Sequence, residues 1–338
     1  MNTFKQPVPI IDFSRLIKGE ADPQAAATIH RACCDSGFFY LSNFGIDAEQ
    51  IAAVENVMRW FFALPAEDKQ NVARSEGNSR GYYNNELTKN SRDMKEVFDF
   101  GFKPDSGLPD DHEKNLSQDG WNQWPDVDGS EAFKTLLNIY FECCGVVALR
   151  LTEVLTENLG APVETLTSDF CPDHSSFLRL NYYPVEDPLA SEEGVEKKSA
   201  DSGSMGVHHH TDAGALTLLL QDNVGGLQVF HESLWKPVPP VAGTLVVNIG
   251  DIVKVWSNDL YHAALHRVVA STGQDRYSIP YFSNPVYSAD YQPLAEIRGR
   301  KVEPHYSPIN WGHFRHERQH GDYGDYGDEI QISDFKLV

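Results

Sequence analysis

From Phe177 onward the chain breaks into short β-rich runs separated by turn residues, at 177–183, 206–212, 215–221, 226–231, 235–238, 244–249, 263–270 and 276–283. They predict a double-sheet jelly roll or a barrel. Within this region Asp222-Asn223-Val224-Gly225-Gly226 has the chemistry of a hairpin turn.

The first half reads differently. Residues 9–13 predict a short strand, 24–36 a helix ended by Gly37, and 38–41 an aromatic-rich strand. An acidic start and apolar residues at three- and four-residue intervals predict a helix over 47–64, and Pro65 opens a second short helix through Asn71. A long helix is expected from about 130 to 159, where Gly160 and Pro162 stop it. The expected fold class is therefore mixed α/β with a mainly β core, a jelly roll carrying a helical N-terminal support. The division expected along the chain is 1–170 for the support, 171–290 for the core and 291–338 for a C-terminal strap. Residues 186–204 are polar and aperiodic, and read as a mobile loop, either a tolerated insertion or a lid. The G-D-Y repeat at 321–328 reads as a turn-rich strap whose tyrosines lie within reach of a pocket mouth.

With 338 residues, 41% of them apolar, the chain can bury a full core. Its formal charge of -21 argues against a nucleic-acid partner, which needs clustered Lys and Arg. The N-terminus has no basic segment followed by an apolar one, and the apolar runs are strand-sized, so neither a secretory signal nor a membrane partner is expected. The cysteines at 33, 34, 143, 144 and 171 have no disulfide-framework spacing, which fits a reducing, cytoplasmic location. Oligomeric state is not readable from these features.

His210-Thr211-Asp212 places an imidazole and a carboxylate at i and i+2, and on a strand those side chains leave the same face. A third ligand has to come from elsewhere, and His266 stands in the apolar segment A-A-L-H-R-V (263–268). Two histidines and one carboxylate leave coordination positions open, which suits non-haem Fe(II) better than a closed zinc site. His208 shares the face of His210. It is set aside because only His210 keeps the spacing to Asp212, while His209 should point away. Arg276 and Ser278 share another strand face, and an arginine fork matches a carboxylate in bidentate geometry. A protein carboxylate or the distal carboxylate of a bound 2-oxo acid would both satisfy it. Along Arg179-Leu180-Asn181-Tyr182-Tyr183 the odd positions project together. Asn181 and Tyr183 can donate to a metal-proximal carboxylate or keto group, and Arg179 can meet an anionic substrate. A core aromatic role for Tyr183 and a solvent-directed Arg179 are the competing readings.

The motifs V-P-I-I-D-F (8–13), G-F-F-Y-L-S-N-F-G-I (37–46), F-F-A-L-P-A-E-D-K (61–69), N-Y-Y-P (181–184), H-T-D-A-G-A-L-T-L-L (210–219), G-G-L-Q-V (225–229), N-I-G-D (248–251), H-R-V (266–268) and R-Y-S-I-P-Y-F (276–282) run in order through most of the chain. In these the chain resembles the 2-oxoglutarate/Fe(II) dioxygenase superfamily, in the isopenicillin-N-synthase-like branch that includes plant flavonoid oxygenases and fungal thymine hydroxylase. The resemblance implies a distorted double-stranded β-helix with Fe(II) on His210, Asp212 and His266. It places the distal carboxylate of 2-oxoglutarate on Arg276 and Ser278, with Asn181 and Tyr183 near its other end. The implied chemistry consumes O2, releases succinate and CO2, and oxidises an unactivated C–H bond of a small-molecule substrate by hydroxylation, desaturation or cyclisation, as in secondary metabolism. Arg80-Gly81-Tyr82-Tyr83-Asn84 resembles the segment that caps the substrate pocket in this family, which makes Tyr82 a candidate substrate contact, with a surface turn as the alternative. Halogenating relatives lack the carboxylate that Asp212 supplies here.

Two other readings follow from the same residues. One keeps the iron but gives the Arg276/Ser278 pair a substrate carboxylate, as in isopenicillin-N-synthase-like or aminocyclopropane-carboxylate-oxidase-like oxidases. The other is a non-catalytic small-molecule binding protein on the same fold, which would be expected to show a damaged triad or to lack Arg276.

Overall fold

Alternation along the strands decides which side chains meet in this protein. The computed structural model describes residues 8–75, 77–88, 91–102, 120–186, 189, 205–271, 273–323 and 330–337. Its principal strands are β1 (Ile10–Asp12), β2 (Phe38–Ser42), β3 (Gly81–Tyr83), β4 (Glu96–Gly101), β5 (Phe177–Tyr183), β6 (Met205–His210), β7 (Leu216–Gln221), β8 (Leu227–His231), β9 (Leu234–Pro237), β10 (Thr244–Ile249), β11 (His266–Val269) and β12 (Arg276–Ser283). The larger sheet has the order β1-β2-β10-β7-β12-β5-β4-β3, and the smaller one β9-β8-β11-β6.

The even positions Leu178, Leu180, Leu216, Leu218 and the odd positions Leu245, Val247, Ile279 and Tyr281 belong to the main core on one face of the larger sheet. Helices α1 (Pro23–Asp35), α2 (Ala48–Phe62) and α4 (Ser130–Leu159) cover that face, with the short α3 (Ala66–Gln70) following α2. Their ends follow local chemistry. Asp22 caps α1 ahead of Pro23, Asp47 and Gln50 form a capping box on α2, and Gly160 closes α4 in the left-handed region at φ 84°. Among the described residues α4 is long and apolar enough to cross a membrane, but its buried positions, from Phe133 to Leu159, pack against the core while Ile139 and Val146 stay exposed, and the helix contacts α1, α2 and β12.

The opposite face of the larger sheet meets the smaller sheet. Phe38, Tyr40, Tyr183, Leu219 and Val246 from one pack on Val207, Leu227, Val229 and Val268 from the other. Arg179, Asn181, Thr217, Asn248, Arg276 and Ser278 occupy the same strand parity and enter this inter-sheet space. A one-residue register slip would send all of them into the helical layer.

The jelly roll and the helical support on one side of the sheet agree with the sequence reading, with four differences. The N-terminal region is more than a helical support, because β1, β2, β3 and β4 supply half of the larger sheet. The turn at Asp222–Gly226 does not close a hairpin: β7 and β8 lie in different sheets, so the turn is a crossover. A short helix, α5 (Asp251–Trp256), follows β10, and the C-terminal segment contains a helix, α6 (Trp311–Tyr323), where a strap was expected. The expected loop at 186–204 lies outside the described residues apart from Glu186 and Leu189, and the G-D-Y repeat lies at the end of α6 and beyond, outside the described side chains.

Candidate active site

His210 is the last residue of β6 and His266 the first of β11, and the ladder pairs them directly, with ring centroids 4.4 Å apart. Asp212 completes the group, the three ligand atoms all lying within 4.8 Å of one another. Its route there differs from the strand alternation expected. β6 ends at His210, and Asp212 sits in the turn beyond it, held by Asp251 N donating to Asp212 O and Gly250 N to Ala215 O, both at 2.8 Å. A side chain at Gly250 would place Cβ 2.1 Å from Gly214 O and 3.0 Å from Asp212 O, so this close approach requires glycine.

Hydrogen bonds fix which atoms face inward. His210 Nδ1 lies 2.8 Å from His208 O, and His266 Nδ1 3.2 Å from Ala264 O. A carbonyl only accepts, so both Nδ1 atoms carry the proton and both Nε2 lone pairs are presented to the site. Thr217 Oγ1 at 2.5 Å and Asn248 Nδ2 at 2.7 Å donate to Asp212 Oδ2. Oδ1 is thereby left 3.5 Å from His210 Nε2 and 3.6 Å from His266 Nε2. Burial opposes ionisation of Asp212, but His266, His210 and the Thr217 hydroxyl outweigh it and hold its carboxyl well below the usual range. Burial outweighs Asp212 at His266 and takes its pKa down to about 4, whereas Asp212 outweighs burial at His210 and raises its pKa.

Opposite the triad, the β5–β12 ladder pairs Arg276 with Tyr183 and Ser278 with Asn181. Arg276 is 1% exposed. Its Nε donates to Gly225 O at 2.6 Å and Nη1 to Ser278 Oγ at 3.3 Å, and its guanidinium lies 4.8 Å from the centre of the Tyr183 ring. Asn181 Nδ2 approaches Ser278 Oγ at 3.4 Å. Among the described residues no carboxylate pairs with Arg276. All four side chains and the triad line one cavity of about 190 Å³ between the sheets.

Both substrate candidates are engaged by protein carboxylates. Arg179 lines the cavity, but its fork grips Asp99 through two bonds of 2.9 Å and Glu86 through a third of 2.9 Å. The guanidinium that favoured an anionic substrate is thus engaged by protein carboxylates. Tyr82 is a correction: it is a core residue at 3% exposure, neither a surface turn nor a cavity-lining residue, and its hydroxyl donates to Glu96 Oε2 at 2.7 Å. His208 turns its Nδ1 to Asp93 at 3.0 Å, and His209 is exposed beside Trp235. Sequence reasoning missed Thr217 and Asn248, although both stand inside motifs it singled out. It also missed Trp311, Arg315 and Arg318, which α6 brings to the cavity wall.

Two family models match the chain: the non-haem dioxygenase in morphine synthesis N-terminal model over residues 8–127, and the 2OG-Fe(II) oxygenase superfamily over residues 174–285. Flavanone 3-dioxygenase of Petroselinum crispum is 31% identical over 307 residues, 89% of this chain and 76% of that protein. The chain belongs to the 2OG-Fe(II) oxygenase superfamily. This oxygenase is also similar to two solved structures. A full-length Neurospora crassa protein in complex with alpha-KG and thymine has a TM-score of 0.75 at 28% identity, covering 94% of this chain and 98% of that one. JOX2 in complex with 2OG, Fe and JA has a TM-score of 0.73 at 27% identity, covering 91% and 83%. The oxygenase uses Fe(II), 2-oxoglutarate and O2. Its residues fit them: a two-histidine, one-carboxylate donor set leaves positions open for the co-substrates, and a buried arginine stands ready for a carboxylate.

Proposed function

We propose that this oxygenase holds its iron through His210 Nε2, Asp212 Oδ1 and His266 Nε2. The distal carboxylate of 2-oxoglutarate goes to Arg276 and Ser278, and Asn181 and Tyr183 stand toward its other end. Arg276 carries this reading, as a nearly inaccessible cation in the cavity of the triad whose described partners are a carbonyl, a hydroxyl and an aromatic ring. Such a charge requires an anion, and a co-substrate that is also a metal chelator satisfies both ends of the cavity.

With iron, 2-oxoglutarate and O2 bound, the centre supplies oxidative decarboxylation of the co-substrate to succinate and CO2, and oxidation of an unactivated C–H bond of a small-molecule metabolite. The chain's own contribution is positional. The carbonyls of His208 and Ala264 aim the imidazoles, Thr217 and Asn248 hold the carboxylate, and the two sheets keep bulk water from the buried charges. Residues 171–290 are the catalytic core in this reading, with 1–170 and 291–338 folded onto it. The flavanone, thymine and JA named for its relatives support a small organic substrate. The five free thiols support a reducing, cytoplasmic setting.

The test is to load Fe(II) and 2-oxoglutarate anaerobically, admit O2, and screen a metabolite library for compounds that stimulate succinate release. Stoichiometric succinate with an oxidised product is expected. Oxygen uptake with product but without succinate would favour the oxidase reading, in which Arg276 holds a substrate carboxylate.

A further inference from the structure

Beside the metal site lies a buried ionic cluster with no counterpart in the sequence reading. It contains three cations, Arg74, Lys95 and Arg179, and three carboxylates, Glu86, Asp93 and Asp99, with side-chain exposures from 0% to 16%. Lys95 Nζ bridges Glu86 at 2.6 Å and Asp93 at 3.0 Å; Arg179 bridges Glu86 and Asp99; Arg74 contacts the same two carboxylates. Removing this many charges from water is costly, and such clusters are often no more stabilising than apolar packing of the same volume. Stability alone is therefore a weak reason for it.

One end of the cluster reaches the iron site. Asp93 Oδ2 faces Lys95, while Oδ1 meets two polar groups of His208: ring Nδ1 at 3.0 Å and backbone N–H at 3.4 Å. The carbonyl of the same His208 accepts from His210 Nδ1 at 2.8 Å. A carboxylate that grips a residue at ring and amide restrains its backbone, and the carbonyl of that residue sets the orientation of the candidate iron ligand. We propose that Asp93 is a positioning residue for the metal centre, acting through His208 on His210, and that Lys95 holds Asp93 in place. This inference rests on the iron ligation proposed above.

The test compares three folded proteins by anaerobic Fe(II) titration in the presence of 2-oxoglutarate, followed by the visible charge-transfer absorption of the complex and by thermal unfolding of the apo chain. Asp93→Asn removes the charge at constant shape. The double variant D93A/K95M removes an ion pair together and leaves two cations facing two carboxylates, which keeps the remaining cluster neutral. Asp99→Asn disturbs the same cluster without touching His208. Fe(II) affinity is expected to fall about tenfold or more in D93N and in the double variant, with a shifted absorption band. D99N should lose stability yet bind Fe(II) within about twofold of wild type. Unchanged Fe(II) affinity in a folded D93A/K95M or D93N overturns the proposal, as does an equal loss in D99N, which would mark a general effect of destabilisation. If the wild-type chain itself fails to bind Fe(II), it is the iron ligation that falls.

Discussion

Arg276 donates from Nε to the carbonyl of Gly225 at 2.6 Å, and this bond joins the crossover between the two sheets to the strand proposed to present the co-substrate site. Gly225 and Gly226 both have φ in the left-handed region, at 85° and 98°, and a Cβ on Gly226 would lie 2.5 Å from Val269 O. In the proposed co-substrate site the crossover glycines would form the backbone side. Lysine cannot reproduce both the bond to Gly225 and a forked contact to a carboxylate. Arg276→Lys is expected to weaken 2-oxoglutarate binding by about 1.5 to 3 kcal/mol, roughly 10- to 150-fold, while Fe(II) affinity in its absence stays near wild type. Separate calorimetric titrations of metal and co-substrate measure the split.

Asn248 and Thr217 share one oxygen of Asp212 and so choose the other for the metal. Asn248→Ala should lower Fe(II) affinity by about tenfold or more. The deficit is expected to be made up by excess Fe(II) in a turnover assay, whereas a loss that no metal concentration restores would show that Asn248 acts elsewhere.

Tyr82 donates to Glu96, which also pairs with Lys69 at 2.7 Å in the core. Tyr82→Phe should cost about 1.5 to 3 kcal/mol of stability, the range for a hydrogen bond to a charged group, with KM for substrate unchanged. Urea unfolding and steady-state kinetics check the two halves of this prediction.

The ionic cluster makes stability depend on acid. Burial opposes ionisation of Glu86 and Asp99, but Arg179, Lys95 and Arg74 outweigh it for Glu86, and Arg179 and Arg74 for Asp99, so both carboxyls lie below their ordinary values of 4.5 and 3.8. A carboxylate depressed in the folded state lends stability above its unfolded pKa and loses it as pH falls toward the folded one. The urea midpoint should therefore hold near neutrality and drop progressively below about pH 4.5. Asp99→Asn leaves Arg74 and Arg179 short of a partner and is expected to cost about 3 to 5 kcal/mol at pH 7. Its acid limb should be shallower than that of wild type.

How legible each part was depended on the range of its interactions. The strand alternation that sends Arg179, Asn181, Arg276 and Ser278 to one face is local and readable, and so are the capping residues of α1 and α2. Glu96-Val97-Phe98-Asp99-Phe100 was not read as a strand. Glu96 finds Lys69, and Asp99 finds Arg74 and Arg179, at distances in sequence that no local pattern encodes. The carboxylate partners of Arg179 were hidden for the same reason: they lie 80 and 93 residues away. Asp212 was chosen for the triad by strand spacing, whereas its position beside His210 and His266 depends on a turn packed under Gly250.

The central claim is that His210, Asp212 and His266 form the iron site beside a 2-oxoglutarate pocket built on Arg276. Anaerobic Fe(II) titration in the presence of 2-oxoglutarate tests it most directly, comparing wild type with His266→Ala. Wild type should bind one Fe(II) and one 2-oxoglutarate per chain and develop the charge-transfer band of a chelated 2-oxo acid, and H266A, still folded, should lose metal and band together. An H266A chain that binds Fe(II) and shows that band as wild type does would contradict the account.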